Sequence, residues 1–162
     1  MVHMKRIVSL LLVVIWISGV FARSEDKKEK LCITEQEYQV YEAAQISNYQ
    51  NETTNYPFSE HLNTEFPSIS PAVVADYQEK NNKSYSLRCV LKKDGKKKNL
   101  TRSYGGNVST GFSRIGFNKD ETEALVYVSW SGLGNTCQSD FVYLKKENDK
   151  WEVVKKVMMV IC

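Results

Sequence analysis

The chain has 162 residues, with 22 basic and 19 acidic side chains, four cysteines and two histidines. That length suits one domain with its own core, and the near balance of charge excludes a general nucleic-acid binder, which needs a strongly basic face. Cysteines without a close pair, beside so few imidazoles, exclude the usual zinc-ligand spacings, so no metal site and no cofactor are expected.

Lys5 and Arg6 precede an apolar run over residues 7–17, and small residues follow at Ser18, Gly19, Val20 and Ala22. A charged start, an apolar middle and a small-residue end are the order of a secretory signal peptide, so residues 1–22 are read as a signal cleaved after Ala22. The run is shorter than the roughly 20 apolar residues of a spanning helix, and no membrane span is expected after cleavage. Losing Lys5 and Arg6 leaves 20 basic against 19 acidic residues in a chain that is secreted or periplasmic. In such a compartment an even number of cysteines points to disulfides, so Cys32, Cys89, Cys137 and Cys162 are expected in two bridges, with three pairings open.

Residues 23–30 are charged and lack apolar anchors, as in a disordered tail, and residues 31–162 are read as a single domain. Thr34 and Glu37 have capping-box spacing, with Ile33 and Tyr38 placed as a hydrophobic staple, which predicts a helix over residues 35–46. Residues 47–68 mix prolines and isolated aromatics without a period and are read as a long connection with at most a short strand. Ser70 before Pro71 opens a second, short helix ending near Asn81 or Asn82. Period-two alternation predicts a strand over residues 85–91, turned back at Asp94-Gly95 into a strand over 99–104, with a bend at Gly105 and Gly106. Further strands are predicted over residues 112–117, 124–130, 140–145 and 151–161, with turns at 118–120, 132–135 and 148–150. Ala124, Val126, Val128 and Trp130 share one strand face while Leu125 and Tyr127 share the other, so both faces of that strand are covered by protein, ligand or partner.

The expected fold class is therefore α+β: an N-terminal helix and a short helix packed on one concave face of a curved antiparallel sheet of five or six strands. The segments Ser113-Arg114-Ile115-Gly116-Phe117-Asn118, Ala124-Leu125-Val126-Tyr127-Val128, Tyr143-Leu144-Lys145-Lys146 and Trp151-Glu152-Val153 resemble a group of small exported bacterial proteins of NTF2-like or cystatin-like form. The helix with Tyr38 and Tyr41 and the stretch Asp76-Tyr77-Gln78-Glu79-Lys80-Asn81 are similar to the N-terminal half of the same group. The resemblance implies architecture and carries no active-site motif, because such folds host binding modules, scaffolds and enzymes on one frame.

Motifs for catalysis are thin. The string Gly106-Asn107-Val108-Ser109-Thr110-Gly111 has the wrong spacing for a nucleophile elbow, and His61 alone could serve as an imidazole base in the mature chain. Gln39-Val40-Tyr41-Glu42 lacks the glycine of a cystatin inhibitory hairpin and sits in a helix. No catalytic residue is assigned. The leading reading is a non-enzymatic binding or interaction domain whose partner is a small apolar ligand or another protein. Its anchor would be Trp130, on the concave sheet face or beside the loop over residues 132–137. A second reading, a small isomerase or hydratase with a buried carboxyl, would use Asp76, Tyr77 and Tyr127. A third uses the run from Lys92 to Lys98, with Lys96, Lys97 and Lys98 at its centre, to hold an anionic cell-surface polymer. Asparagine sequons at Asn51, Asn82, Asn99 and Asn107 complete the inventory.

Overall fold

A computed structural model describes residues 30–46, 53–60, 62–92, 94–99, 109–132 and 136–161. The expected signal segment, the charged tail up to residue 29, His61, the bend at Gly105 and Gly106, and Cys162 lie outside the described residues, while Lys30, expected to end the tail, is in a strand. The fold class is α+β, and it contains two sheets where one was expected. The smaller has the order β1-β2-β3, formed by Lys30–Thr34, Ser86–Leu91 and Lys97–Asn99. The larger has the order β4-β6-β7-β8, formed by Ser109–Phe112, Glu123–Ser131, Cys137–Glu147 and Lys150–Ile161, with β5, Gly116–Phe117, paired to the first half of β6.

Strand β1 is absent from the expected order. It pairs in parallel with β2, and a disulfide between Cys32 and Cys89 crosses that pair at a Cα separation of 4.5 Å. The first helix, α1, spans Glu35–Ala43 and starts at the expected capping box: the Thr34 hydroxyl accepts from the Glu37 N–H at 3.1 Å, and the Glu37 carboxylate accepts from the Thr34 N–H at 2.9 Å. It stops before the expected Ile46. Gln45 takes φ 62°, while the Gln45 and Ile46 N–H groups donate back to the carbonyls of Glu42 and Tyr41. That is a Schellman ending with glutamine where glycine is usual.

In the connection, α2 forms a single turn over Leu62–Glu65, and Thr53 bridges in parallel to Phe112. The expected short helix is α3, Pro71–Lys80, with proline in its first turn. Asn81, which follows it, does not adopt the left-handed cap. Its amide instead donates to the carbonyls of Tyr77 and Arg114 and accepts from the Arg114 N–H at 2.7 Å.

The two helices lie on opposite faces of the larger sheet, not together on one concave face. Ala124, Val126, Val142 and Leu144 pack with Val40 and Tyr41 of α1 and with Ile33, Leu87 and Val90 of the smaller sheet. Leu125, Tyr127, Phe141 and Tyr143 pack on the other side with Phe58, Leu62 and Phe66 of the connection and with Val73 and Tyr77 of α3. Alternation along β6 and β7 thus feeds two cores. The close seat of α3 depends on Gly116, where a Cβ would come within 2.5 Å of both the Tyr77 Cβ and the Val73 carbonyl.

Strands β4 and β5 are one edge strand interrupted at residues 113–115. Ser113 explains the interruption: its hydroxyl, in place of its carbonyl, accepts the Tyr127 N–H at 2.9 Å. The freed carbonyl accepts the Tyr41 hydroxyl at 2.8 Å, which binds α1 to the sheet. On the far edge, β8 carries extra residues at the register shifts opposite Ser139/Asp140 and Tyr143/Leu144. Its hairpin with β7 turns through Asn148 and Asp149, both at positive φ, as a two-residue type I′ turn demands.

Candidate functional site

Of the residues singled out in the sequence, Tyr77 and Tyr127 meet in one core cluster, while Asp76, Trp130 and the lysines lie outside it. Asp76, on α3, accepts from the Phe117 N–H and from Lys80, both at 2.7 Å, so it ties helix to strand as a structural clamp. Tyr77 is fully buried with its hydroxyl donating to the Tyr56 carbonyl at 2.8 Å, and burial pushes its phenol well above the usual range. Tyr127 is buried in the same cluster, stacked on the Tyr56 ring at 4.2 Å. Lys96, Lys97 and Lys98 are exposed on the β2–β3 hairpin, with Lys96 paired to Asp94 at 3.2 Å and Lys98 over the Tyr38 ring. Of the sequon residues, Asn82 is exposed in the turn after α3, Asn99 lies in β3, and Asn51 and Asn107 lie outside the described residues.

A dense polar cluster surrounds the Ser113 interruption. Arg114 reaches the Glu37 carboxylate at 2.8 Å, with the two side chains 13% and 1% exposed, and lies against the Tyr85 ring. Its donors and acceptors are directed at one another. Asp76, Asn81, Ser113, Arg114 and Glu37 therefore serve as an internal scaffold, with both carboxylates hydrogen-bonded within it. Among the described residues, no three His, Cys, Asp or Glu side chains gather as a metal would require.

A depression of 460 Å³ lies beside Tyr56, Tyr77 and Asn81, and further open space lies at the end of the larger sheet where Trp130 stands, 38% exposed. Two depressions share Trp130 and Gln138. One, of 350 Å³, is bounded by the end of α1 at Ala44 and Ile46, by Val128, and by Asp140 and Lys156. The other, of 310 Å³, lies over a row that crosses four strands in register: Gly111 of β4, Ser129 of β6, Ser139 of β7 and Val160 of β8. Thr54 closes its side and Tyr127 its inner end.

Two hydroxyls at this second depression, Thr54 Oγ1 and Ser139 Oγ, are buried without a hydrogen-bond partner among the described residues. Such groups are rare in folded proteins because water has been lost and nothing replaces it. Asp140 in the first depression accepts from Gln138 at 3.0 Å. Trp130 was visible in the sequence, whereas Thr54, Ser129, Gln138 and Ser139 were not singled out. A signal existed for part of this set: the face that reads Leu125 and Tyr127 turns to Ser129 and Ser131, polar residues where a core face should continue.

No protein-family model matches the chain, and no curated protein and no solved structure is detectably similar to it. The loop beyond β6 reaches into residues 133–135, outside the described residues, and Cys137 at its far end is disulfide-bonded. No helix among the described residues is long and apolar enough to cross a membrane.

Proposed function

We propose that this protein is an exported, non-enzymatic binding domain whose contact surface is the end of the β6–β7 hairpin around Trp130. The observation that carries the reading is the position of Trp130: a large aromatic, partly exposed, on the shared rim of two depressions. The antiparallel run β6-β7-β8 supports an NTF2-like or cystatin-like form for that part of the chain, whereas the β1-β2-β3 sheet and the placing of α1 and α3 on opposite faces depart from it. Export rests on the signal-like residues 1–22 and is supported by the Cys32–Cys89 disulfide, which persists in oxidising compartments. The isomerase or hydratase reading loses its support, since Asp76 is held by Lys80 and the Phe117 N–H, and Glu37 by Arg114.

Native mass spectrometry of the protein from its own exported fraction tests the proposal. A chain beginning at Arg23 and carrying an added small molecule is expected, with the added mass lost in Trp130→Ala. The protein mass alone in both forms, or an added mass retained by the variant, counts against Trp130 as the anchor.

A further inference from the structure

We infer that the depression over Gly111, Ser129 and Ser139 takes an uncharged, polyhydroxylated ligand, one or two sugar rings in size. The inference rests on the binding reading above and specifies its chemistry. At 310 Å³ the space lies at the lower end of small-molecule sites, which run from roughly 300 to 1,000 Å³. Its lining carries no charged side chain. A carboxylate, phosphate or ammonium would give up water there and gain no counter-charge.

A purely apolar ligand fits no better. Ser139 is 3% exposed, and its hydroxyl and that of Thr54 have no hydrogen-bond partner among the described residues, a need that an apolar occupant would not meet. Ser129 adds a third hydroxyl, which donates to the Gly111 carbonyl at 3.4 Å. A hydroxyl both donates and accepts, and the ligand groups that match several of them at once are themselves hydroxyls. Val160 and Tyr127, whose side chain lies on this face of β6, offer apolar surface to the C–H faces of a pyranose.

Glycine at 111 makes the room. A Cβ there would lie 2.7 Å from Ser129 Oγ and 3.1 Å from Thr54 Cγ2, so a larger residue would displace the two side chains that line the depression. A row of Gly, Ser and Ser between the large side chains of Tyr127 and the β6–β7 end is a depression cut into an otherwise filled face.

The test is titration of the uniformly ¹⁵N-labelled mature protein with maltose, cellobiose, lactose and N,N′-diacetylchitobiose, with decanoate and trialanine as probes of other chemistry. At least one saccharide is expected to move the amide signals of Gly111, Ser129 and Ser139. Ser139→Ala should weaken that binding about tenfold, the equivalent of one lost hydrogen bond to a buried partner, and Gly111→Val should abolish it while the spectrum stays dispersed. Movement of these signals by decanoate or trialanine and by no saccharide would overturn the sugar assignment and leave the binding site standing. Signals unmoved by every probe would overturn the assignment and remove the support this depression lends to the binding reading.

Discussion

Glu37 carries its carboxylate into the interior beside the break between β4 and β5 and uses both oxygens there, one for the Thr34 N–H and one for Arg114. Removing one member of a buried pair leaves the other charge without water or partner, which typically costs about 3–5 kcal/mol. Arg114→Met should lower the unfolding free energy by about 3 kcal/mol in urea titration, and a Glu37→Gln, Arg114→Met double variant should recover part of the loss. Additive losses would show that the two side chains do not act as a pair. The Glu37 half of this arrangement was legible as a capping box, because its partner is three residues away. Arg114, 77 residues along the chain, was not.

Tyr143 gives a pH dependence at the same scale. Burial, aided by the nearby Glu123 carboxylate, pushes its phenol from 10.0 up to about 12, and Tyr77 moves in the same direction. The unfolded chain releases the Tyr143 proton near 10.0, whereas the folded chain holds it until about 12. Between those values the unfolded state binds fewer protons, so this stabilisation is fully present below pH 10.0 and is lost as pH rises towards about 12. The urea midpoint should fall across that window, and Tyr143→Phe should make the fall shallower. An unchanged slope in the variant would remove Tyr143 from the account.

Among the elements, α1, α3 and β6 to β8 followed from local signals: a capping box, a proline in the first turn, strict alternation and Asn-Asp turn chemistry. The end of α1 did not, because Gln45 rather than glycine takes the left-handed position and the motif is secured by Ile46 and Tyr41, both in the core. Strand β1 was also hidden: five residues after a charged stretch show too little alternation, and its partner β2 begins 56 positions after it does. The Cys32–Cys89 bridge closes 57 residues between these strands. In the chain-entropy model such a loop closure is worth about 4 kcal/mol. A Cys32→Ser, Cys89→Ser double variant should therefore lose a comparable amount in guanidinium unfolding and expose the β1 amides to hydrogen exchange. Retained protection in β1 would mean that the parallel pairing stands without the bridge.

For the whole molecule, the register of β7 and β8 predicts the remaining disulfide. Gln138 lies opposite Ile161, Cys137 is disulfide-bonded and Cys32 is paired with Cys89, so of the four cysteines Cys162 is the one left for Cys137. A non-reducing peptide map should recover Cys137 linked to Cys162 as well as Cys32 linked to Cys89. Any other connectivity would overturn this assignment.

What the sequence alone determined was the fold class, most helix and strand positions, the two-faced character of β6 and Trp130 as a candidate anchor. Those depend on caps, turns and periods that act within a few residues of one another, where chain connectivity already holds the partners close. Only the tertiary structure decided that there are two sheets, that α1 and α3 cover opposite faces, and that Asp76 is a clamp. It also brought Thr54, Gly111, Ser129 and Ser139 around one depression. These features are set by which distant surfaces bury each other and which polar groups that burial leaves without a partner. No short-range pattern of residues encodes either.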